Sequence, residues 1–122
     1  MQTLDTLEVY ISAKAYRKEV MMTANTFPKE ENFLLAAQTK DSARSVTANI
    51  AEGYGRYHYQ EAIQFCRIAR GSLLETYDHL SSALDENYIT EDRFNELKKQ
   101  YENVLKMLNG YIAYLQRRKQ EG

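Results

Sequence analysis

The sequence predicts an all-α protein, a single antiparallel up-down-up-down four-helix bundle over residues 1–122. Three observations carry that expectation. Apolar residues recur three and four apart in four long stretches, strand-like alternation is sustained nowhere, and one Pro and five Gly leave few places where a helix must stop. A chain of 122 residues makes one domain. It buries roughly two thirds of its unfolded surface, enough for a core that needs no disulfide.

The first helix is expected over residues 6–25, where Val9, Ala13, Tyr16, Val20 and Ala24 form a stripe that Tyr10 and Met21 widen. It ends before Thr26-Phe27-Pro28, because proline disfavours helix in the residue ahead of it and suits the first turn of a new one. The second helix then covers residues 29–52. Glu30 and Glu31 oppose the positive end of its dipole, and Phe33, Ala37, Ala43, Val46 and Ile50 form its stripe, with Leu34 and Ala36 beside them. The small residues Ala43, Ala48 and Ala51 predict close approach of a neighbouring helix. Gly53 or Gly55 is expected to end the helix in the left-handed conformation that glycine takes without steric cost.

The third helix, residues 59–86, carries Ala62, Phe65, Ala69, Leu73, Tyr77, Leu80 and Leu84, extended by Ile63, Cys66 and Leu74. A helix apolar over so much of its circumference needs more than one neighbour, within the bundle or across a subunit interface. A turn over residues 85–89 leads to Thr90, an N-cap hydroxyl followed by Glu91 and Asp92. Phe94, Leu97, Tyr101, Val104, Leu108, Tyr111 and Leu115 then alternate by three and four in a heptad seam. Arg117-Arg118-Lys119 place cations at the negative end of this fourth helix.

The residues that chemistry would need gather between Ser42 and Glu75, around Asn49-Ile50-Ala51-Glu52-Gly53-Tyr54-Gly55-Arg56. A di-iron centre of the bundle type wants Glu-x-x-His on two helices. Glu75 and His79 are four apart, no second pair exists, and His58 falls in the turn, so no metal site is expected; an inter-helix hydrogen bond for Glu75 and an exposed His79 are. Gly53-Tyr54-Gly55 beside Arg56 follows a helix with no preceding strand, which predicts chain reversal and not a nucleotide loop. Asn49 with Glu52, and Ser72 with Glu75, sit among apolar neighbours. They suggest a structural ion network with Arg56, Arg44 or Arg70. Cys66, in the apolar run Phe65-Cys66-Arg67-Ile68, is expected to be a buried thiol.

Net charge is −1 with a pI of about 6.1. Residues 37–71 nevertheless hold five basic residues (Lys40, Arg44, Arg56, Arg67, Arg70) against three acidic ones (Asp41, Glu52, Glu61), a local +2 that leaves −3 elsewhere. Cations a helical turn apart, with Tyr54, Tyr57 and Tyr59 between them, are the ingredients of single-strand nucleic-acid binding. The same residues also suit a solvated helix face and a tyrosine-packed corner. Met1-Gln2-Thr3-Leu4-Asp5 lacks a basic segment followed by an apolar one, and no run is long enough to span a membrane, so a cytoplasmic protein is expected.

Asn49-Ile50-Ala51-Glu52-Gly53-Tyr54-Gly55-Arg56, followed by Phe65, Ile68-Ala69, Gly71-Ser72 and Glu75, resembles the bacterial four-helix bundle family of 23S ribosomal RNA intervening sequence proteins. Phe27-Pro28, Glu31, Leu34, Gln38 and Ser45 also fall where that family has such residues, and the likeness covers about residues 7–115. The resemblance implies a ring-like homopentamer. A similar bundle is the accessory protein of diversity-generating retroelements, a basic pentameric barrel that binds nucleic acid and the reverse transcriptase. The resemblance brings no catalytic residues and no cofactor. Where family members often have Gly-Ser after the arginine, the Ser capping the third helix, this chain has Tyr57-His58, so the cap is weaker or is made by His58. The pI also departs from that of the basic accessory protein. The expected function is therefore that of a non-enzymatic homo-oligomer that binds RNA or DNA, or docks on a nucleic-acid-processing protein, through Lys40, Arg44, Arg56, Arg67 and Arg70. The alternative is a scaffold or interaction protein with no nucleic-acid role.

Overall fold

Four helices follow one another in a computed structural model that describes residues 1–122: α1 (Glu8–Ala24), α2 (Leu35–Tyr54), α3 (Tyr59–Asp85) and α4 (Glu91–Glu121), with no strand. Each packs on the next and α4 closes against α1, while the α2–α3 contact is the most extensive. The packing is antiparallel, since partners on one helix rise in number as those on the next fall: Thr76 bonds Ser42, Ser72 bonds Ser45, and Gly53 abuts Ala62. The expected stripes supply the core, with Val9, Ala13, Tyr16 and Val20 meeting Ala43, Val46, Ile50, Cys66, Ala69, Leu73, Leu80, Leu97, Val104 and Leu108. Ile112, off the heptad seam, is buried as well, whereas Leu74 is half exposed.

The second helix departs from expectation at its start. Residues Lys29–Glu31 form a 3-10 turn, the backbone breaks at Leu34 (φ −119°, ψ −110°), and α2 begins only at Leu35. Phe33 is 93% exposed and contributes nothing to the core. Phe27 takes the aromatic position instead, 5.8 Å from the Tyr88 ring and packed with Ala24, Ala36 and Ala83. Glu31 still serves the helix start, because its carboxylate accepts the Leu35 N–H at 3.0 Å and satisfies one donor that a helix terminus leaves free.

Neither glycine at the corner is left-handed. The helix runs through Gly53 to Tyr54, and Gly55 has φ −80°. Gly53 is needed for space: a Cβ there would lie 3.0 Å from the Ala62 carbonyl oxygen and 3.1 Å from the Phe65 Cβ. It provides the close approach expected of Ala48, which is exposed, and of Ala51, which is half-buried. The one left-handed residue is Asn87 (φ 61°), which ends α3 with Tyr88 N–H on the Ala83 carbonyl and Asn87 N–H on that of Leu84. Asparagine tolerates this geometry, and the paired bonds make a Schellman cap. Thr90 caps α4 as expected, accepting the Arg93 N–H at 3.1 Å.

Tyr16 is 1% exposed and its hydroxyl has no partner. Burial, and secondarily Tyr101, push its phenol well above the ordinary value, so it remains neutral. A buried hydroxyl without a hydrogen bond costs about 1–3 kcal/mol. Tyr16→Phe is therefore expected to raise stability by about 1 kcal/mol in urea unfolding; a loss of that size would reveal a partner for the hydroxyl.

Candidate nucleic-acid interface

The corner after α2 is held by Arg56, which reaches Glu52 at 3.3 Å on its own helix side and Glu61 at 3.4 Å in the first turn of α3. Its guanidinium also stands 4.7 Å from the Phe65 ring centre. Glu75, expected in this network, lies elsewhere: it is exposed and pairs at 3.3 Å with His79 four residues on. The exposure expected of that histidine is reversed, since its side chain is 15% exposed against 60% for Glu75, and their bond lies within α3 instead of between helices. His58 precedes α3 in extended conformation and makes no side-chain cap, so the first turn of α3 is unprotected.

Other motif residues are tied by hydrogen bonds within α2 and between α2 and α3. Asn49 donates its amide to the Ser45 carbonyl at 2.8 Å and hydroxyl at 3.0 Å, Ser45 and Ser72 share a hydrogen bond of 2.8 Å, and Thr76 donates to Ser42 at 2.8 Å. This hydroxyl seam satisfies the polar groups that small side chains bring between α2 and α3. Gly71 faces open space.

The five expected cations do not converge. Lys40 donates to the Asn25 side chain at the end of α1, and Arg44 lies 3.6 Å from Asp41 on the surface of α2. Arg56 is engaged at the corner. Arg67 and Arg70 lie on α3 towards α4, where Arg70 donates to Asn109 Oδ1 at 2.8 Å and neither makes an ion pair.

That α3–α4 flank gathers charge from parts of the chain far apart in sequence. The antiparallel register brings the last turns of α4 beside the first turns of α3, so Lys119 donates to Gln60 Oε1 at 2.5 Å and Arg118 to the Tyr59 hydroxyl at 3.3 Å. A groove of about 390 Å³ there is lined by Gln60, Ile63, Arg67, Gln116, Lys119 and Gln120, with no carboxylate. Residues 62–74 and 103–120 together hold Arg67, Arg70, Lys106, Arg117, Arg118 and Lys119 and not one Asp or Glu. Lys119 is thus more than a dipole partner: it lines the groove with Arg67, while Arg118 holds the Tyr59 hydroxyl beside it. The available signal was the register of an antiparallel hairpin, which sets residue 119 opposite residue 60.

Elsewhere no three His, Cys, Asp or Glu side chains come together as a metal site would require. Burial pushes the Cys66 thiol up to about 11, which keeps it protonated and inert at neutral pH. No helix is long and apolar enough to cross a membrane.

Fold and site together define a small four-helix bundle with a polar α2–α3 seam and, between α3 and α4, a groove that carries Arg67 and Lys119 and no carboxylate. The chain belongs to the 23S rRNA-intervening sequence protein family, whose model matches residues 5–110. It is similar in fold to a crystal structure of a protein of unknown function from the S23 ribosomal protein family of Bacteroides thetaiotaomicron. The TM-score is 0.80, with 21% identity, over 86% of this chain and 95% of that one. Among curated proteins none matches this sequence.

Proposed function

We propose that this protein is a non-enzymatic, self-associating bundle that binds single-stranded RNA or DNA along the α3–α4 end. The observation that carries this is a groove lined by Arg67 and Lys119 and by the amides of Gln60, Gln116 and Gln120, with no carboxylate, while Arg70 stands farther along α3 beside Asn109; none of the three cations makes an ion pair. Cations free of carboxylate partners release counterions when they meet phosphates, and side-chain amides add hydrogen bonds to phosphate and sugar oxygens. An overall charge of −1 does not oppose this, because repulsion over distances beyond about 8–10 Å is screened at physiological salt.

Self-association, in the ring-like homopentamer that the family resemblance implies, is supported by apolar side chains left outside the bundle. Ile11 and Met22 on α1, and Ile68 and Leu74 on α3, are all about half exposed. Titration of labelled single-stranded RNA and DNA at several salt concentrations tests the binding. Affinity is expected to fall linearly with salt on logarithmic axes; no binding at low salt, or binding without a slope, would instead favour a scaffold that meets only protein partners. Sedimentation of the purified protein reads the oligomer in the same samples.

A further inference from the structure

Beside the cationic groove, around the first turn of α3, a second cavity of about 310 Å³ opens at the corner. Tyr57, His58, Tyr59, Tyr111 and Tyr114 line it together with Arg56. Two of these rings are free to receive a ligand. Tyr57 is 93% exposed with its edge against His58, and Tyr114 is 45% exposed and stacked on Tyr111, ring centres 6.2 Å apart. The others are fixed by their neighbours. Tyr59 carries the Arg118 guanidinium on its hydroxyl, and Tyr111 is half-buried, its phenol pushed up to about 12 by burial and, less, by Cys66, Tyr54 and Tyr114. Tyr54 closes the floor by donating from its hydroxyl to the Gln2 carbonyl at 3.1 Å.

We infer that this cavity is a base pocket: it takes an unpaired nucleobase, stacked on Tyr57 or Tyr114, from a strand whose phosphates lie on Arg118, Lys119 and Arg67. The inference rests on the nucleic-acid reading above and adds the subsite to it. Its volume is at the lower end of the about 300–1,000 Å³ of small-molecule sites, which suits one base. Aromatic faces stack any base, and cations next to them seize the backbone, so the pairing selects an unpaired strand over a duplex. Continuity of the two sites is direct, because Tyr59 and Gln60 are consecutive and hold Arg118 and Lys119 respectively. Arg118 has only Glu121 as an acidic neighbour, without an ion pair, and Arg56 is already neutralised by Glu52 and Glu61.

The test compares oligonucleotides, of RNA and of DNA, that carry either 2-aminopurine or an abasic residue at one position, bound at low salt to the full-length protein. Stacking contributes enough for roughly a tenfold preference for the base-bearing strand, with quenching of its fluorescence. Tyr57→Ala with Tyr114→Ala is expected to abolish that preference and the quenching while leaving abasic affinity and the salt slope intact. Tyr57→Phe with Tyr114→Phe retains both, which separates stacking from any effect of the hydroxyls. Equal affinity of wild-type protein for intact and abasic strands overturns the pocket and leaves the phosphate groove standing. Binding of neither strand overturns both.

Discussion

Gly53→Val is expected to lower stability by about 3 kcal/mol, whereas Gly71→Ala is expected to raise it by about 0.5–1 kcal/mol. Both glycines lie inside helices and both belong to the family-like motif, so local propensity alone favours replacing either. What separates them is the neighbouring helix. A side chain at Gly53 points at the Ala62 carbonyl oxygen and the Phe65 Cβ, atoms of the α3 backbone or fixed to it, and these yield only if α2 and α3 move apart. At Gly71 an added methyl meets nothing within 4 Å. Gly53→Ala should fall between the two, its helix preference of about 1 kcal/mol offset by the tight contact. Urea unfolding at two protein concentrations checks all three and separates loss of fold from loss of association. If Gly53→Val were as stable as wild type, the α2–α3 approach at the corner would not be limiting.

That contrast also marks what a sequence can convey. Periodicity placed four helices and most of the core, because a stripe such as Val9, Ala13, Tyr16 and Val20 has only one way to be buried. It misassigned Phe33, which continues the stripe of α2 in number but precedes the break at Leu34, where the turn from Pro28 has already moved the chain out of helical register. A periodic pattern carries no information on where tertiary contacts let a helix begin. Gly53 and Gly55 invited a left-handed stop, since glycine serves both for positive φ and for close packing, and only the facing helix decides which. Asn87 took the left-handed position from a stretch read simply as a turn. For the candidate site, Arg67 and Arg70 were legible as cations, but their company was not. Lys119 joins Arg67 in one groove through the antiparallel register of α3 and α4, which also sets Arg118 on Tyr59 and Arg70 beside Asn109, a long-range relation that local charge counting over residues 37–71 cannot register.

Neutralising that company is the largest functional effect expected. Arg67→Gln, Arg70→Gln and Lys119→Gln should each reduce the salt slope of single-strand binding by about 0.7, the counterion equivalent of one phosphate contact. At 0.1 M salt one such contact corresponds to about fivefold in affinity, so the three together remove about 10²-fold. Glutamine keeps an amide for Asn109 and for Gln60, and the sites are exposed or half-exposed, so fold stability should change by no more than about 0.5 kcal/mol. Lys40→Gln and Arg44→Gln supply the comparison. Lys40 is bound to Asn25 and Arg44 lies beside Asp41, so both engage neighbours away from the α3–α4 groove and should leave the slope unchanged. If these two carried the loss, the strand would run along α2; if all five lost affinity equally, attraction would be diffuse and the groove would have no privileged role. A loss confined to Arg67, Arg70 and Lys119 requires the phosphates to follow the α3–α4 flank, where these three cations make no ion pair, and it places the tyrosine cavity at the end of their path.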